Sequence, residues 1–313
     1  MRAKSLRLSE EAGIAERKPR YLLAFAALAM TMLFWSGNLV VGRAVRDEIP
    51  PFLLAFARWA LAFVLILPLA ARHLVADRHK LIAGWKAVLF LGLVGVGSFN
   101  AFLYTGLHFT TATNAALLQA AIPAFVLLLN FLIFGTRPIA RQIFAVLVST
   151  TGVLVIVCRG HLETLLGLDL GIGDMLVMAA VFAWAIYTSM LRLKPDCHWL
   201  SFLAVTFGLA AIAMAPFAAS EGEAISTMHW GPEVIGAILY VGIFPSILAY
   251  ALFNFAVVEV GSVPAGQANN MLPLFGALLA AVLLSEPLHA YHGVGIALIV
   301  VGIAFGWPAR KTA

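Results

Sequence analysis

Several stretches of the sequence, each longer than twenty residues, contain no charged side chain, among them residues 21–42, 111–134 and 260–284. A run of about 18 apolar residues is already a candidate membrane span. Charged residues make up only 11% of the 313-residue chain, whereas a soluble domain carries about 25%. Because a water-exposed surface needs more polar side chains than this chain supplies, the sequence predicts an all-α polytopic protein whose partner is the lipid bilayer.

The hydropathy pattern predicts ten spans, near residues 21–42, 52–71, 85–105, 111–134, 140–158, 171–191, 199–219, 233–257, 260–284 and 288–307. With the N-terminus inside, sixteen of the twenty Lys and Arg residues fall in inner segments and three in outer ones, as the positive-inside rule requires. We therefore expect a multi-pass protein of the cell (inner) membrane with both termini cytoplasmic. The net charge of +5 then reflects topology and indicates no nucleic-acid partner. The longest connections, predicted as loops, are 72–84, 159–170 and 220–232.

The two halves of the chain resemble each other at an offset of about 150 residues. Pro123 matches Pro273, and each follows a polar amide four positions earlier, Gln119 or Asn269. Five predicted spans in each half are an odd number, so the copies must have opposite orientations, as in many secondary transporters. The sequence predicts a 5+5 inverted repeat, with an N-terminal segment 1–20, repeats at 21–160 and 161–308, and a tail at 309–313.

The paired prolines indicate a binding site at the middle of the membrane. Proline removes the hydrogen bond to the carbonyl four residues earlier, here that of Gln119 or Asn269. Two helices broken at matching places, with amides beside the breaks, predict a midplane substrate site. The alternative is that Pro123 and Pro273 are simple kinks and that the amides form hydrogen bonds between helices.

Arg58 is the basic residue that falls well inside a predicted span, about seven residues from its outer end. Ionisable residues at such positions are usually functional or paired. A guanidinium suits a carboxylate bidentately, as an amino-acid substrate would require. The alternative, that the Arg58 stem extends to the outer interface, stays open at this point.

Aromatic and amide side chains inside the spans are further candidates for contact with a substrate. Aromatic rings can stack on it and amides can bind its polar groups, whereas rings at span ends form interfacial belts. The candidates inside the spans are Trp35, Asn38, Tyr104, Trp184, Tyr187, Tyr250 and Asn254.

Several segments together resemble the EamA family of the drug/metabolite transporter superfamily. They are Gly173-Asp174-Met175-Leu176 and the following residues to Arg192, Phe34-Trp35-Ser36-Gly37-Asn38, Ala57-Arg58-Trp59, and Ser285-Glu286-Pro287-Leu288. The first half departs from the pattern, since Gly135-Thr136-Arg137-Pro138 stands where the family often carries a glutamate. The resemblance implies a ten-helix transporter that exports amino acids, related metabolites or toxic compounds without ATP.

The predicted function is secondary export of amino acids, aromatic or of broad specificity, or related metabolites by alternating access. Alternatives are an exporter of hydrophobic drugs or other metabolites, a channel or scramblase, and an intramembrane enzyme. An enzyme would need a nucleophile–base pair or a metal cluster within the membrane, and the predicted spans supply neither. We therefore predict no enzymatic activity, catalytic residue, metal or cofactor. Gly302 and Gly306 form a small-xxx-small pair in the last span, which predicts a homodimer through that helix or close packing within one chain.

Overall fold

The computed structural model describes residues 20–161, 163–164, 171–284 and 289–306. This part of the chain is 87% helix and contains no strand, so the predicted all-α class is confirmed. The predictions for segment 1–19, for the motif at 285–288 and for the tail at 309–313 lie outside the described residues.

The helices follow one another in the described chain with short connections. They are α1 (Tyr21–Ala44), α2 (Pro51–Ala83), α3 (Trp85–Phe109), α4 (Ala112–Gln119 and Ile122–Phe134), α5 (Ala140–Val157), α6 (Ile172–Met190), α7 (Trp199–Ser220), a short helix Gly222–Thr227, α8 (Pro232–Val260), α9 (Ser262–Ala268 and Leu272–Leu284) and α10 (Ala290–Gly306). Both α3 and α8 contain a π-helical segment, Leu91–Ser98 and Ile243–Leu248 respectively.

Eight of these helices, α1 to α8, are long and apolar enough to cross a membrane by length and composition, counting only described residues. Helix α10 is a shorter apolar helix. Helix α9 is divided by a 3₁₀ turn at Asn269–Met271. The structure therefore agrees with a multi-pass membrane protein, while the count of ten spans stays a prediction.

The distribution of polarity is the reverse of that in a soluble protein. Large apolar side chains point outward, such as Leu22, which is 83% exposed, and Ile212, which is 72% exposed. Polar side chains lie inside, including Arg58 and Asn100, each 1% exposed. A continuous apolar exterior of this kind is suited to lipid.

The prediction of a loop at 72–84 is wrong, because α2 continues through this segment to Ala83. Its residues are polar but include good helix formers such as Leu, Ala, Arg and Lys. Helix α2 therefore has 33 residues and extends beyond the apolar part of its sequence. Its far end is fixed by Asp77, whose carboxylate accepts hydrogen bonds from the backbone N–H of His198 and the hydroxyl of Ser201, both at 2.8 Å.

The helix packing is symmetric between the two halves of the chain. The most extensive pairings join α5 to α10 and α2 to α7, and the C-terminal part of α3 packs on α6 as that of α8 packs on α1. The pairs α5–α10 and α2–α7 each join equivalent helices of the two halves. The contact of α3 with α6 is equivalent to the contact of α8 with α1. This pattern is the packing expected of a duplicated five-helix unit.

The contact of α5 with α10 repeats the same symmetry at atomic detail. A Cβ atom on Gly152 would lie 2.6 Å from the carbonyl oxygen of Gly295, and one on Gly302 would lie 2.6 Å from the backbone nitrogen of Ser149. Gly152 and Gly302 are equivalent at the offset of 150 residues. Gly295 is equivalent to Ala145, whose carbonyl oxygen would lie 2.8 Å from the Cβ on Gly302. Gly302 therefore permits close packing within the chain, as does Gly306, which lies against Gln267. Dimerisation through α10 stays a prediction.

We predict that Gly302→Val lowers the stability of the helical bundle, because its Cβ would meet backbone atoms of α5 that cannot move aside. Overpacking of this kind costs about 1–3 kcal/mol. Gly293→Val in the same helix is the matched control, since a Cβ there meets nothing within 4 Å. Thermal unfolding of the purified protein in detergent should show a lower midpoint for the first variant than for the second, and equal midpoints would contradict this packing.

Candidate functional site

A small cavity lies where α1, α2, α3, α6 and α8 meet the interruptions of α4 and α9. The cavity is narrow. Its free volume of about 30 Å³ is enough for a few water molecules. Seven of the predicted substrate-binding residues line it, and these are Trp35, Asn38, Arg58, Gln119, Trp184, Tyr250 and Asn269. Further lining residues are Leu39, Phe99, Asn100, Leu103 and Leu272.

Arg58 is the charged group of this cavity, and its side chain points into the protein. Its Nε donates to the hydroxyl of Ser246 at 2.7 Å, and Nη2 donates to the carbonyl oxygen of Pro245 at 3.0 Å. Nη1 lies 3.0 Å from Oδ1 of Asn100 and 3.2 Å from Oδ1 of Asn38. Because Arg58 is buried, its stem does not extend to the membrane interface as the alternative interpretation required.

Tyr104 completes the network around the guanidinium. Its hydroxyl accepts a hydrogen bond from Nη1 of Arg58 at 3.2 Å and donates one to Oδ1 of Asn38 at 3.0 Å. The three side chains therefore form a closed triangle that joins α1, α2 and α3. This arrangement uses one of the two hydrogens on Nη2, for the bond to Pro245, and leaves the other available.

All five of these partners of Arg58 are neutral oxygen atoms. Within the part of the chain that the structure describes, no carboxylate lies at salt-bridge distance from the guanidinium. The ring of Trp59 lies 4.5 Å from the guanidinium carbon and adds a cation–π contact. A buried guanidinium that keeps a hydrogen-bonding group free beside a cavity is suited to bind an anion, and this role of Arg58 stays a prediction.

Aromatic rings form another part of the cavity lining. Trp35 and Trp184 meet edge to face with ring centroids 4.9 Å apart, and Tyr250 lies 5.9 Å from Trp35 and 5.7 Å from Trp184. The indole N–H of Trp35 donates to the carbonyl oxygen of Pro245 at 3.0 Å, the same acceptor that Arg58 uses. These rings are inside the helical bundle, so they are not part of an interfacial belt.

The interruptions of α4 and α9 place two amides at the cavity. Helix α4 ends at Gln119 and begins again at Ile122, and α9 passes through its 3₁₀ turn at Asn269. Each amide donates within its own helix at 3.3 Å, from Gln119 to the carbonyl of Ala115 and from Asn269 to that of Ala265. The two donors and their acceptors correspond at the offset of 150 residues.

Neighbouring amides make the interhelical hydrogen bonds. Nε2 of Gln267 donates to the carbonyl oxygen of Gly302 at 2.8 Å, and Nδ2 of Asn270 donates to the hydroxyl of Ser149 at 2.9 Å. Gln119 and Asn269 are instead at the cavity surface. Their position there agrees with a binding role, which stays a prediction.

Tyr187 and Asn254 were predicted as binding residues but do not line the cavity. The hydroxyl of Tyr187 donates to Oδ1 of Asn254 at 2.9 Å, and its ring stacks on Trp184 with centroids 5.1 Å apart. Trp184 therefore separates this pair from the cavity. Tyr104 likewise lies behind Arg58, outside the lining.

The Asn38–Tyr104 pair and the Tyr187–Asn254 pair occupy equivalent positions in the two halves, with asparagine and tyrosine exchanged. Asn38 corresponds to Tyr187 at an offset of 149, and Tyr104 corresponds to Asn254 at an offset of 150. Each half therefore links its first and third helices by one tyrosine-to-asparagine hydrogen bond, at 3.0 Å in the first half and 2.9 Å in the second. Only the pair in the first half adjoins an arginine, because the position equivalent to Arg58 is Gly208.

Sequence reasoning missed three partners of Arg58, namely Asn100, Pro245 and Ser246. The duplication carried a signal for the first, because Asn100 is equivalent to the predicted Tyr250. Pro245 and Ser246 lie in the π-helical segment of α8. Such a segment changes which side chains and carbonyls face a neighbour, and no residue pattern predicted it.

These features define a class of protein: a multi-pass membrane protein with an interior polar cavity, the arrangement of a transporter. The chain belongs to the EamA-like transporter family, whose family model matches it twice, over residues 22–158 and 171–306. The resemblance seen in the sequence is thereby confirmed.

The relatives of the chain are also transporters by name. An uncharacterized transporter of Archaeoglobus fulgidus is 32% identical over 88% of this chain and 94% of the relative. A probable amino-acid metabolite efflux pump of Salmonella typhimurium is 26% identical over 92% of this chain and 97% of the relative. A solved crystal structure covers 91% of this chain and 95% of its own, with a TM-score of 0.69 at 20% identity, a likeness that shows the fold alone.

We predict that Arg58→Gln weakens the binding of carboxylate-bearing ligands at least tenfold, because charge-assisted hydrogen bonds contribute about 1.5–3 kcal/mol. Arg58→Lys should restore binding only in part, since an ammonium cannot replace the planar guanidinium that reaches Ser246 and Pro245 together. Binding to the purified protein can be measured by calorimetry. Unchanged affinity in Arg58→Gln would contradict the anion site.

Proposed function

We propose that this protein is a secondary exporter of amino acids or closely related metabolites, working by alternating access in the cell inner membrane. The observation that carries the proposal is the buried guanidinium of Arg58, which has only neutral partners among the described residues. A substrate carboxylate would supply the missing counter-charge. No chemical step is required, and we propose no enzymatic role.

The other groups at the cavity suit the remainder of an amino acid. The amide oxygens of Gln119 and Asn269 can accept hydrogen bonds from a substrate ammonium group. The rings of Trp35 and Tyr250 provide an apolar and cation-binding surface. The name of the Salmonella typhimurium relative, a probable amino-acid metabolite efflux pump, supports this substrate class for the present chain.

We further propose that the chain forms ten spans as a 5+5 inverted repeat, with both termini in the cytoplasm. Three observations support it: the double match to the family model, the symmetric helix pairing, and the exchanged contacts of Gly152 and Gly302. The excess of Lys and Arg in the predicted inner segments supports the orientation.

The exchanged Asn–Tyr pairs supply a mechanism for alternating access. In the proposed topology Asn38 and Tyr104 lie on the outer side of the cavity, and Tyr187 and Asn254 on the inner side. Each pair, while hydrogen-bonded, would close the narrow cavity toward its own side of the membrane. Breaking one hydrogen bond at a time would open the cavity to one side only, which is the requirement of a carrier.

A second candidate function is the export of hydrophobic compounds. An apolar groove between α1, α9 and α10 favours it, lined by Leu22, Phe25, Leu274 and Ile303 among others. Such a groove could admit a hydrophobic substrate from the lipid. It contains no charged lining residue in the described chain, so it would not select carboxylates.

Counterflow in proteoliposomes tests the proposed function. Vesicles loaded with an unlabelled amino acid should accumulate the labelled amino acid, with saturable uptake that other amino acids reduce by competition. Empty vesicles and vesicles holding Arg58→Gln are the controls. Failure of every amino acid to exchange, with exchange of a hydrophobic dye, would reject the proposal in favour of the second candidate.

We predict that Tyr104→Phe and Tyr187→Phe shift the access of the cavity in opposite directions. Each removes the tyrosine-to-asparagine hydrogen bond of its pair, which contributes about 1 kcal/mol, or roughly fivefold in an equilibrium. Tyr104→Phe also removes the hydroxyl that accepts from Nη1 of Arg58. The readout is labelling of Leu39→Cys by a membrane-impermeant maleimide from outside, with Cys158 and Cys197 replaced by serine. Labelling should become faster in Tyr104→Phe and slower in Tyr187→Phe, and shifts in the same direction would contradict the two-gate mechanism.

A further inference from the structure

We propose that the side chain of the substrate occupies a second, apolar cavity beyond Gln119 and Asn269, and that Gly276 sets the size of side chain admitted. This inference rests on the proposed function, since it takes Arg58 as the site of the substrate carboxylate. It adds a substrate preference: amino acids whose side chain is uncharged and apolar.

The second cavity adjoins the first directly. The two share four lining residues, Leu39, Gln119, Asn269 and Leu272. The free volume of the second cavity is about 160 Å³, compared with about 30 Å³ for the cavity beside Arg58. A ligand held at Arg58 therefore has most of its room on the far side of the two amides.

The walls of the second cavity are suited to hydrocarbon. Val40, Ala120 and Val153 contribute to them, and no charged side chain of the described chain lines the space. A charged side chain entering here would lose its hydration without gaining a counter-charge, which costs several kcal/mol. An apolar side chain gains contact instead.

The polar side chains of Ser36 and Asn270, which line the second cavity, form hydrogen bonds within the fold. Ser36 donates to the carbonyl of Leu272 at 2.9 Å or to that of Met32 at 2.8 Å. Asn270 donates to Ser149, while its Oδ1 is buried without a partner among the described residues. No charged side chain of the described chain is present here to pair with a carboxylate, so aspartate and glutamate are disfavoured.

Gly276 leaves the wall open because it has no side chain. It lies one turn beyond Pro273 on α9, and both residues line the second cavity. A Cβ atom at Gly276 would meet nothing within 4 Å. A larger residue could therefore be accommodated by the backbone, and its side chain would take up space otherwise available to the substrate.

The test compares Gly276→Phe with wild type in binding alanine, leucine and phenylalanine to the purified full-length protein. Wild type should bind leucine and phenylalanine more tightly than alanine. Gly276→Phe should weaken the two larger ligands at least tenfold and leave alanine within about twofold. Gly293→Phe is the matched control, because Gly293 is exposed and a Cβ there also meets nothing within 4 Å.

Two results would overturn the inference while leaving the proposed function intact. One is an unchanged order of affinities in Gly276→Phe, and the other is an equal loss for all three amino acids. If Gly276→Phe does not fold, Gly276→Val should weaken leucine and phenylalanine relative to alanine in the same way, by a smaller factor. Failure of wild type to bind any of the three would reject the proposed function itself.

Discussion

The burial of the Arg58 guanidinium, which has no carboxylate partner among the described residues, is the constraint on which the rest of this structure depends. A charge held within a membrane protein is costly unless its hydrogen bonds are satisfied, and here three other helices supply the acceptors. Helix α1 contributes Asn38, α3 contributes Asn100 and Tyr104, and α8 contributes Ser246 and the carbonyl of Pro245. The network joins these helices around the cavity and gives the charge only neutral partners among the described residues, which is the basis of the proposed anion site.

In the proposed mechanism, the duplication would allow such a site to open from two sides. Equivalent positions carry the same kinds of contact, as in the crossing of α5 and α10 through Gly152 and Gly302. The binding groups break that symmetry, since the counterpart of Arg58 is Gly208. A symmetric scaffold can thus adopt two related conformations around one asymmetric site, which gives a carrier two states of similar energy and a single place for its substrate.

Much of this arrangement could be predicted from the sequence, for identifiable reasons. The charge-free runs indicated the membrane, the paired prolines marked the interruptions of α4 and α9, and Arg58 was conspicuous as a charge within a span. The extension of α2 to Ala83 was missed because hydropathy records where lipid ends, whereas a helix can continue into water. Pro245 and Ser246 were missed because a π-helical turn has no clear sequence signature. Tyr187 and Asn254 were placed in the site but lie behind Trp184, since a helical pattern gives the direction of a side chain and not which larger residue covers it.

The most direct test of the central claim compares the binding of leucine with that of leucinamide, by calorimetry on the purified protein. The two ligands share their side chain and amino group, and leucinamide lacks only the carboxylate charge. If Arg58 holds a substrate carboxylate, leucine should bind at least tenfold more tightly than leucinamide in wild type, and the difference should disappear in Arg58→Gln. Equal affinities in wild type would contradict the account, because the buried guanidinium would then serve the fold alone.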